Sequence, residues 1–283
     1  MVPAMTRVSV ITGGAGGMGV ETAKIVGRDH AVVLADVRPD RLDDAAGTLE
    51  ALGITATQVN CDVTDRAAVE GLFRTAADLG DIVSVIHTAG VSPSMGDAEY
   101  IMTTNALGTL NVNEVFFGAA ADGAAIVNVA SMASYMLPDE MIPTKHFDLA
   151  FTDQERFLAE LLRVCDIAGD EMRSGLAYSV SKAFVRWYST SQAERFNSRG
   201  LRIVSVSPGS VDTEMGRLEE QAGAGAMVTN AAVPRWGKAE EMAELFAFCA
   251  GDRAGYLTGT DILNDGGVIA SMRERARHAA ETA

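Results

Sequence analysis

Residues 7–19 read Arg-Val-Ser-Val-Ile-Thr-Gly-Gly-Ala-Gly-Gly-Met-Gly. A short apolar run from Val8 to Ile11 enters a glycine-dense turn, and a helix-length amphipathic segment over 17–28 follows it. Glycines in such a turn allow positive φ and let the backbone approach a pyrophosphate, which the helix N-terminus then stabilises. Several registers fit: Gly14-x-Gly16-x-x-Gly19, Thr12-Gly13-x-x-x-Gly17-x-Gly19 and Thr12-Gly13-x-x-Gly16-x-x-Gly19. A plain tight strand–helix turn has the same composition, but the place on the first βα unit favours a dinucleotide cradle. Asp36 closes the next candidate strand, 17 residues beyond Gly19. A carboxylate there bonds both ribose hydroxyls of NAD and repels the 2′-phosphate of NADP, so NAD is expected over NADP. Arg38, two residues on, softens that discrimination unless it is simply a solvated surface arginine.

Outward from this unit the pattern repeats. Candidate strands are Arg7–Thr12, Ala31–Asp36, Ile54–Asn60, Ile82–His87 and Ala124–Ala130, most of them β-branched and without polar alternation. Strands of that kind are buried on both faces of a parallel sheet. Helix-length segments lie between them at 17–28, 40–52, 65–79 and 98–121, with a cap at Thr64-Asp65 for the third. After a break the rhythm resumes with a helix over 177–198, a strand Leu201–Ser207, a helix over 238–250 and a strand over 260–264. The expected fold is α/β: a Rossmann-like, doubly wound parallel sheet with helices on both faces, plus a helical insertion. With no repeat and no linker composition, residues 1–283 are expected to form one domain, with an insertion over 132–177 and a tail over 268–283.

The insertion carries Pro138 and Pro143, then a Thr152-x-x-Glu155 capping box. Phe157, Leu158, Leu161, Leu162 and Cys165 follow on one helical face, and Gly169 is placed to end the helix. The readings are a helix packed on its own domain, a wall of a substrate pocket, or a subunit contact. Residues 135–176 hold nine acidic and four basic side chains, a third of the chain's net charge of −15.

That charge, with a pI near 4.6, sets the surface against phosphate backbones and anionic headgroups, so neither nucleic acid nor membrane is an expected partner. At 48% apolar and 22% charged residues the chain can bury a sizeable core. Cys61, Cys165 and Cys249 are an odd number without close spacing, and His30, His87, His146 and His278 are scattered. Neither a disulfide framework nor a metal site is expected, and the start has no secretory pattern, so the cytoplasm is the expected location.

Tyr178-Ser-Val-Ser-Lys182 pairs a phenol and an ammonium at i and i+4, one face of a helix. A cation near the ring favours the phenolate, although bringing a tyrosine from pKa ~10 to neutrality takes ~4 kcal/mol, more than one exposed lysine supplies. With this motif in place, the chain resembles the short-chain dehydrogenase/reductase family, in its compact single-domain branch, over residues 5–267 apart from the insertion. The family's Thr-Gly-x-x-x-Gly-x-Gly turn matches Thr12, Gly13, Gly17 and Gly19, with Met18 between the last two, and its Asp-Val matches Asp62-Val63. Its Asn-Asn-Ala-Gly appears as His87-Thr88-Ala89-Gly90, which leaves the brace of that strand end without an assigned residue. Its catalytic Asn matches Asn105 and its catalytic Ser matches Ser131, with Ser134 in reserve. Its Pro-Gly motif and following Thr match Pro208-Gly209 and Thr213, and its closing strand resembles 259–267. The separation of Ser131 from Tyr178 is longer than in most members, and the insertion accounts for it.

The resemblance implies an NAD(P)-dependent oxidoreductase acting on CH–OH groups, with hydride transfer between a secondary alcohol or ketone and the nicotinamide. Tyr178 would be the general acid/base and Lys182 its electrostatic support and a ribose ligand. Ser131 would orient the substrate oxygen, and Asn105 would hold a relay water. Apolar residues near the pocket ends (Met95, Met132, Met136, Met141, Met215, Met227 and Val228) lean towards a bulky substrate such as a hydroxysteroid. Two other readings remain: a sugar-nucleotide epimerase or dehydratase, and a non-enzymatic NAD-binding regulator. A homodimer or homotetramer is expected by the same resemblance.

Overall fold

The computed structural model describes residues 5–220 and 225–282. The first half runs β1 (Arg7–Thr12), α1 (Gly17–Val26), β2 (Ala31–Asp36), α2 (Pro39–Glu50), β3 (Ala56–Asn60), α3 (Arg66–Leu79) and β4 (Asp81–His87). Then come α4 (Ala98–Met102), α5 (Gly108–Ala119), β5 (Ala125–Val129), α6 (Gln154–Cys165), α7 (Asp170–Ser191) and α8 (Ala193–Asn197). The last part holds β6 (Arg202–Pro208), β7 (Val211–Asp212), α9 (Glu214–Glu219), α10 (Gly225–Thr229), β8 (Gly237–Lys238), α11 (Ala239–Ala250), β9 (Thr260–Asn264) and α12 (Val268–Thr282).

Seven strands form one parallel sheet in the order β3-β2-β1-β4-β5-β6-β9. Every residue of β5 and β6 is buried, the polar Asn128, Arg202, Ser205 and Ser207 included, as in strands covered on both faces of the sheet. Phe73, Phe116 and Phe184 pack one face through α3, α5 and α7, while Ala23, Leu42 and Phe246 pack the other through α1, α2 and α11. The chain winds outward from β1 to β3, then returns to place β4 against the other edge of β1. The C-terminal ends of β1 and β4 are therefore the switch point where a doubly wound sheet opens a crevice.

Three expectations change. The helix expected over 98–121 is broken by a wide π-type turn, Thr103–Leu107, between α4 and α5. The helix expected to start at 177 starts at Asp170, because Gly169 (φ +68) redirects the chain and Asp170 and Glu171 suit the first turn. Its first two turns thus occupy the end of the stretch assigned to the insertion. The capping box also shifts: Asp153, not Thr152, caps α6, accepting from Arg156 N at 3.0 Å, since its carboxylate reaches the orphan amide with full charge. At Asp65 the expectation holds, with the carboxylate accepting from Ala67 N at 2.8 Å.

Within residues 132–165, short 3₁₀ turns lead into α6, whose Phe157, Leu161 and Cys165 are buried. The Phe157 and Phe184 rings lie 4.9 Å apart and Phe147 meets Phe184 edge-on at 5.3 Å, so the helix is seated on α7 of its own chain. No described helix is long and apolar enough to cross a membrane, and no cluster of metal-ligating side chains occurs among the described residues. The three cysteines are buried free thiols that burial pushes up to about 11, which keeps them protonated at neutral pH.

Candidate active site

The turn after β1 is shaped by backbone crowding. Gly13 has φ +64, and a Cβ on it would stand 2.7 Å from Ala89 N, so only glycine lets the β1 and β4 ends come together. Gly90 is pressed in the same way: a Cβ there would lie 3.0 Å from Asn105 Oδ1 and 3.2 Å from Lys182 Nζ. What the missing side chains leave open is a cleft of about 370 Å³ across the switch point. Gly13, Gly17, Met18 and Gly19 border it at one end, Asp36, Asp62 and Val63 along its side, and Ala89, Gly90 and Thr213 beyond. An uncharged, side-chain-free turn at a helix N-terminus beside an acidic strand end fits a dinucleotide, with pyrophosphate on the turn and ribose at Asp36. Asp36 already accepts from Ala15 N at 3.3 Å and Arg38 N at 3.2 Å, which fixes its carboxylate at the cleft edge. Asp62 accepts from Thr64 N at 2.8 Å and so holds the neighbouring loop.

Two residues expected at the cofactor or the chemistry line neither cavity. Thr12 is fully buried below the turn, and its hydroxyl meets His87 Nδ1 at 2.7 Å. His87 Nε2 lies 3.0 Å from Thr109 Oγ1, and Thr109 donates to Asn105 O at 2.7 Å. Since the Thr109 proton is committed to Asn105 O, Nε2 of His87 carries its proton and donates, leaving Nδ1 to accept from Thr12. One connected chain thus runs from the glycine-rich turn through His87 to Asn105. Burial, reinforced by the Lys182 charge, lowers His87 to about 3, so the ring stays neutral. His87 is the brace that the family's asparagine pattern left without an assigned residue, and the signal for it was its place at the end of β4 beside Thr12.

Asn105 sits in the π-type turn, where the extra residue rotates it inward. Its amide accepts from Val91 N at 2.9 Å and donates to Val91 O at 3.0 Å and Ser181 Oγ at 3.2 Å. It ties the loop after β4 to α7 from behind the pocket wall, a bracing position that sequence matching alone did not distinguish from direct contact with reactants.

A second cavity of about 300 Å³ adjoins the cleft, and Met18, Gly90, Val91, Thr213 and Met215 border both. Ser131, Tyr178 and Lys182 lie on its wall, with Pro208 and Gly209 nearby. Ser131 caps the start of the 3₁₀ turn after β5, accepting from Ala133 N at 3.2 Å, while α7 presents Tyr178 and Lys182 one turn apart. Insertion or not, the two ends of the long Ser131–Tyr178 separation meet here; Ser134 is buried elsewhere and lines neither cavity. Lys182 donates to Val129 O at 2.9 Å, and its Nζ lies 5.9 Å from the Tyr178 ring centre. Burial lowers this ammonium to about 8. Burial pushes the Tyr178 phenol up, the Ser131 hydroxyl pulls it back, and Glu219 adds to the rise.

Of the remaining wall, sequence reading named four methionines and missed Trp236 and Glu219. Trp236 and Glu219 border the second cavity, as do Met132, Met136, Met215 and Met227, whereas Met95 lines the cofactor cleft and Met141 and Val228 line neither. From the insertion only Met132, Ala133, Met136 and Gly175 reach this cavity, so α6 is not a pocket wall. Across the cleft mouth, Glu214 at the start of α9 pairs with Arg41 and stands 4.0 Å from Arg38, two arginines at the Asp36 end.

The comparisons agree with this geometry. Residues 7–143 match the family model described as short chain dehydrogenase, and residues 166–269 match that described as enoyl-(acyl carrier protein) reductase. Short-chain dehydrogenase/reductase bsc3 of Alternaria brassicicola is 32% identical over 274 residues, covering 95% of this chain and 98% of the relative. Cis-4-hydroxycyclohexanecarboxylate dehydrogenase of Sinomonas cyclohexanicum is 27% identical, covering 93% and 97%. A solved short-chain dehydrogenase/reductase from Serratia marcescens shares the fold with a TM-score of 0.74 at 23% identity, covering 94% of this chain and 99% of that one. With a Rossmann-like sheet, a glycine-rich cleft and whole-length relatives in agreement, this chain belongs to the short-chain dehydrogenase/reductase family of NAD(P)-using oxidoreductases.

Proposed function

We propose that the protein interconverts a secondary alcohol and its ketone, with NAD preferred over NADP. The observation that supports this reading is that Ser131, Tyr178 and Lys182 line the cavity adjoining the cofactor cleft, where a substrate carbinol would meet the end of a bound dinucleotide. Gly13, Gly17, Gly19, Asp36 and Thr213 would hold the cofactor, and its nicotinamide, when bound, supplies the hydride acceptor or donor. Ser131 Oγ holds the substrate oxygen and steadies its developing charge. Tyr178 Oη takes the hydroxyl proton in oxidation and returns it in reduction. Lys182 keeps two protons free beyond its bond to Val129 O, enough to bond a ribose and to stabilise the phenolate while it exists. Asn105 maintains the loop behind this group.

Asp36 supports the choice of NAD, because a fixed carboxylate at that edge repels a 2′-phosphate. A wall of five methionines, Trp236 and little polarity supports a compact apolar body, a cyclic alcohol or one ring of a hydroxysteroid. The Sinomonas relative is named for a cyclic secondary alcohol, one that also bears a carboxylate, so it supports the ring and the reaction but not the charge of the substrate. The test is reduced-nicotinamide formation with a panel of cyclic alcohols and hydroxysteroids, for each cofactor. NAD is expected to exceed NADP at least tenfold in kcat/KM, and Asp36→Ala to shrink the ratio; NADP preference by the wild type would overturn the cofactor reading.

A further inference from the structure

The second cavity holds one feature that the reaction does not use. Among its described lining residues only Lys182 and Glu219 carry charge, and Lys182 is turned into the protein towards Val129 O. Glu219, at the last turn of α9, is partly buried. Its Oε1 accepts from Ser94 N at 3.0 Å, which stitches α9 to the loop after β4 and fixes the carboxylate at the cavity. Neither Oε2 nor the charge has a partner among the described residues: no arginine, lysine or histidine pairs with it, although neighbouring Glu214 and Glu220 on the same segment are both paired. The remainder of the wall is methionine, Trp236, small residues and backbone, none of which offers a cation to an acid.

Resting on the alcohol–ketone reading of this pocket, we propose that Glu219 is a specificity-determining residue that rejects carboxylate-bearing substrates and selects uncharged alcohols, favouring those with a distal hydrogen-bond donor. An anion entering this largely apolar cavity must lose water, finds its one described cation, Lys182, turned towards Val129 O, and meets the Glu219 carboxylate as a like charge. A hydroxyl or amide N–H on the same carbon skeleton would instead donate to Oε2. The selection is by repulsion, an element that acts against the wrong substrate more than for the right one.

The test compares cis-4-hydroxycyclohexanecarboxylate with its methyl ester in wild type and in Glu219→Gln, which keeps an oxygen for Ser94 N and removes the charge. The wild type is expected to favour the ester at least tenfold in kcat/KM, and the variant to reduce that ratio at least fivefold by gaining on the acid; Glu219→Lys is expected to invert it. A readout independent of turnover is calorimetric binding of cyclohexanecarboxamide and cyclohexanecarboxylate to the NAD-saturated protein, where the same ratios should appear. If no alcohol is turned over but the binding ratio still follows residue 219, the selectivity stands and the alcohol–ketone reading falls. An ester-to-acid ratio and a binding ratio that are near unity in the wild type, or unmoved by Glu219→Gln, would overturn the proposal.

Discussion

The two cavities are made of different materials. The cofactor cleft is bordered by glycines and strand ends as well as by Met18, Met95, Met215 and Tyr100, and at its turn the shape depends on an absent side chain: a Cβ on Gly13 would strike Ala89 N. The adjoining cavity is bordered by large side chains, five methionines and Trp236, drawn from α1, α9, α10, the turn after β5 and the loop before β8. A backbone cradle suits a ligand common to a whole family, whereas a wall of adaptable side chains suits the part of the reaction that differs between members. Between them stands a buried polar frame, Thr12–His87–Thr109–Asn105, which holds the two in register.

The largest effect is expected where the second cavity carries a buried charge. Lys182→Met should lower kcat by about a thousandfold, in the range of lost proton-transfer support. Yet it should stabilise the cofactor-free fold at pH 7 by about 1–2 kcal/mol. The sign follows from Lys182 sitting at about 8 when folded, against an unfolded value near its ordinary 10.5. Between those values the unfolded chain binds more protons, so wild-type stability rises with pH, and below pH 8 the buried ammonium is a standing penalty. Chemical denaturation at pH 7 and pH 10 checks this: the advantage of the variant should shrink at the higher pH.

The frame comes next. His87→Ala strands the Thr12 and Thr109 hydroxyls and opens a cavity, and is expected to destabilise by about 3 kcal/mol, while His87→Asn recovers part of it. Denaturant titration measures both, and equal loss in the two variants would deny His87 its bracing bonds. Smaller in stability than the His87 effect but telling for the comparison is Gly13→Ala. Positive φ and the Ala89 N collision should together destabilise by about 2 kcal/mol and weaken NADH binding at least tenfold, read by fluorescence titration. If NADH binding were unaffected, the cleft would not be the cradle described.

How much of this was legible in the sequence follows the same division. The β-branched runs of β1, β2, β4, β5 and β6 announced a buried parallel sheet because both faces of each strand are covered, a property written in every residue. The glycine turn, Asp36 and the Tyr178–Lys182 spacing were legible because their geometry is local. The π-type turn at Thr103–Leu107 was not, since it depends on Asn105 finding Val91 and Ser181 across the fold. Nor was the His87 relay, whose partners are 75 residues back along the chain and 22 ahead. Glu219 looked like one more acidic surface residue among many, and only the packing of α9 against the loop after β4 brings it to the cavity. Thr12 was matched to the cofactor by motif, but its burial turned the side chain into the frame.

The most direct test of the central claim is a paired measurement on wild type and Tyr178→Phe: NADH affinity by fluorescence, and oxidation of a cyclic secondary alcohol followed by reduced-nicotinamide absorbance. The expected result is undiminished NADH binding with turnover lowered by about a thousandfold, because the phenylalanine ring preserves the wall but has no proton to exchange. Turnover that survived Tyr178→Phe would contradict the assignment of Tyr178 as the group that moves the proton.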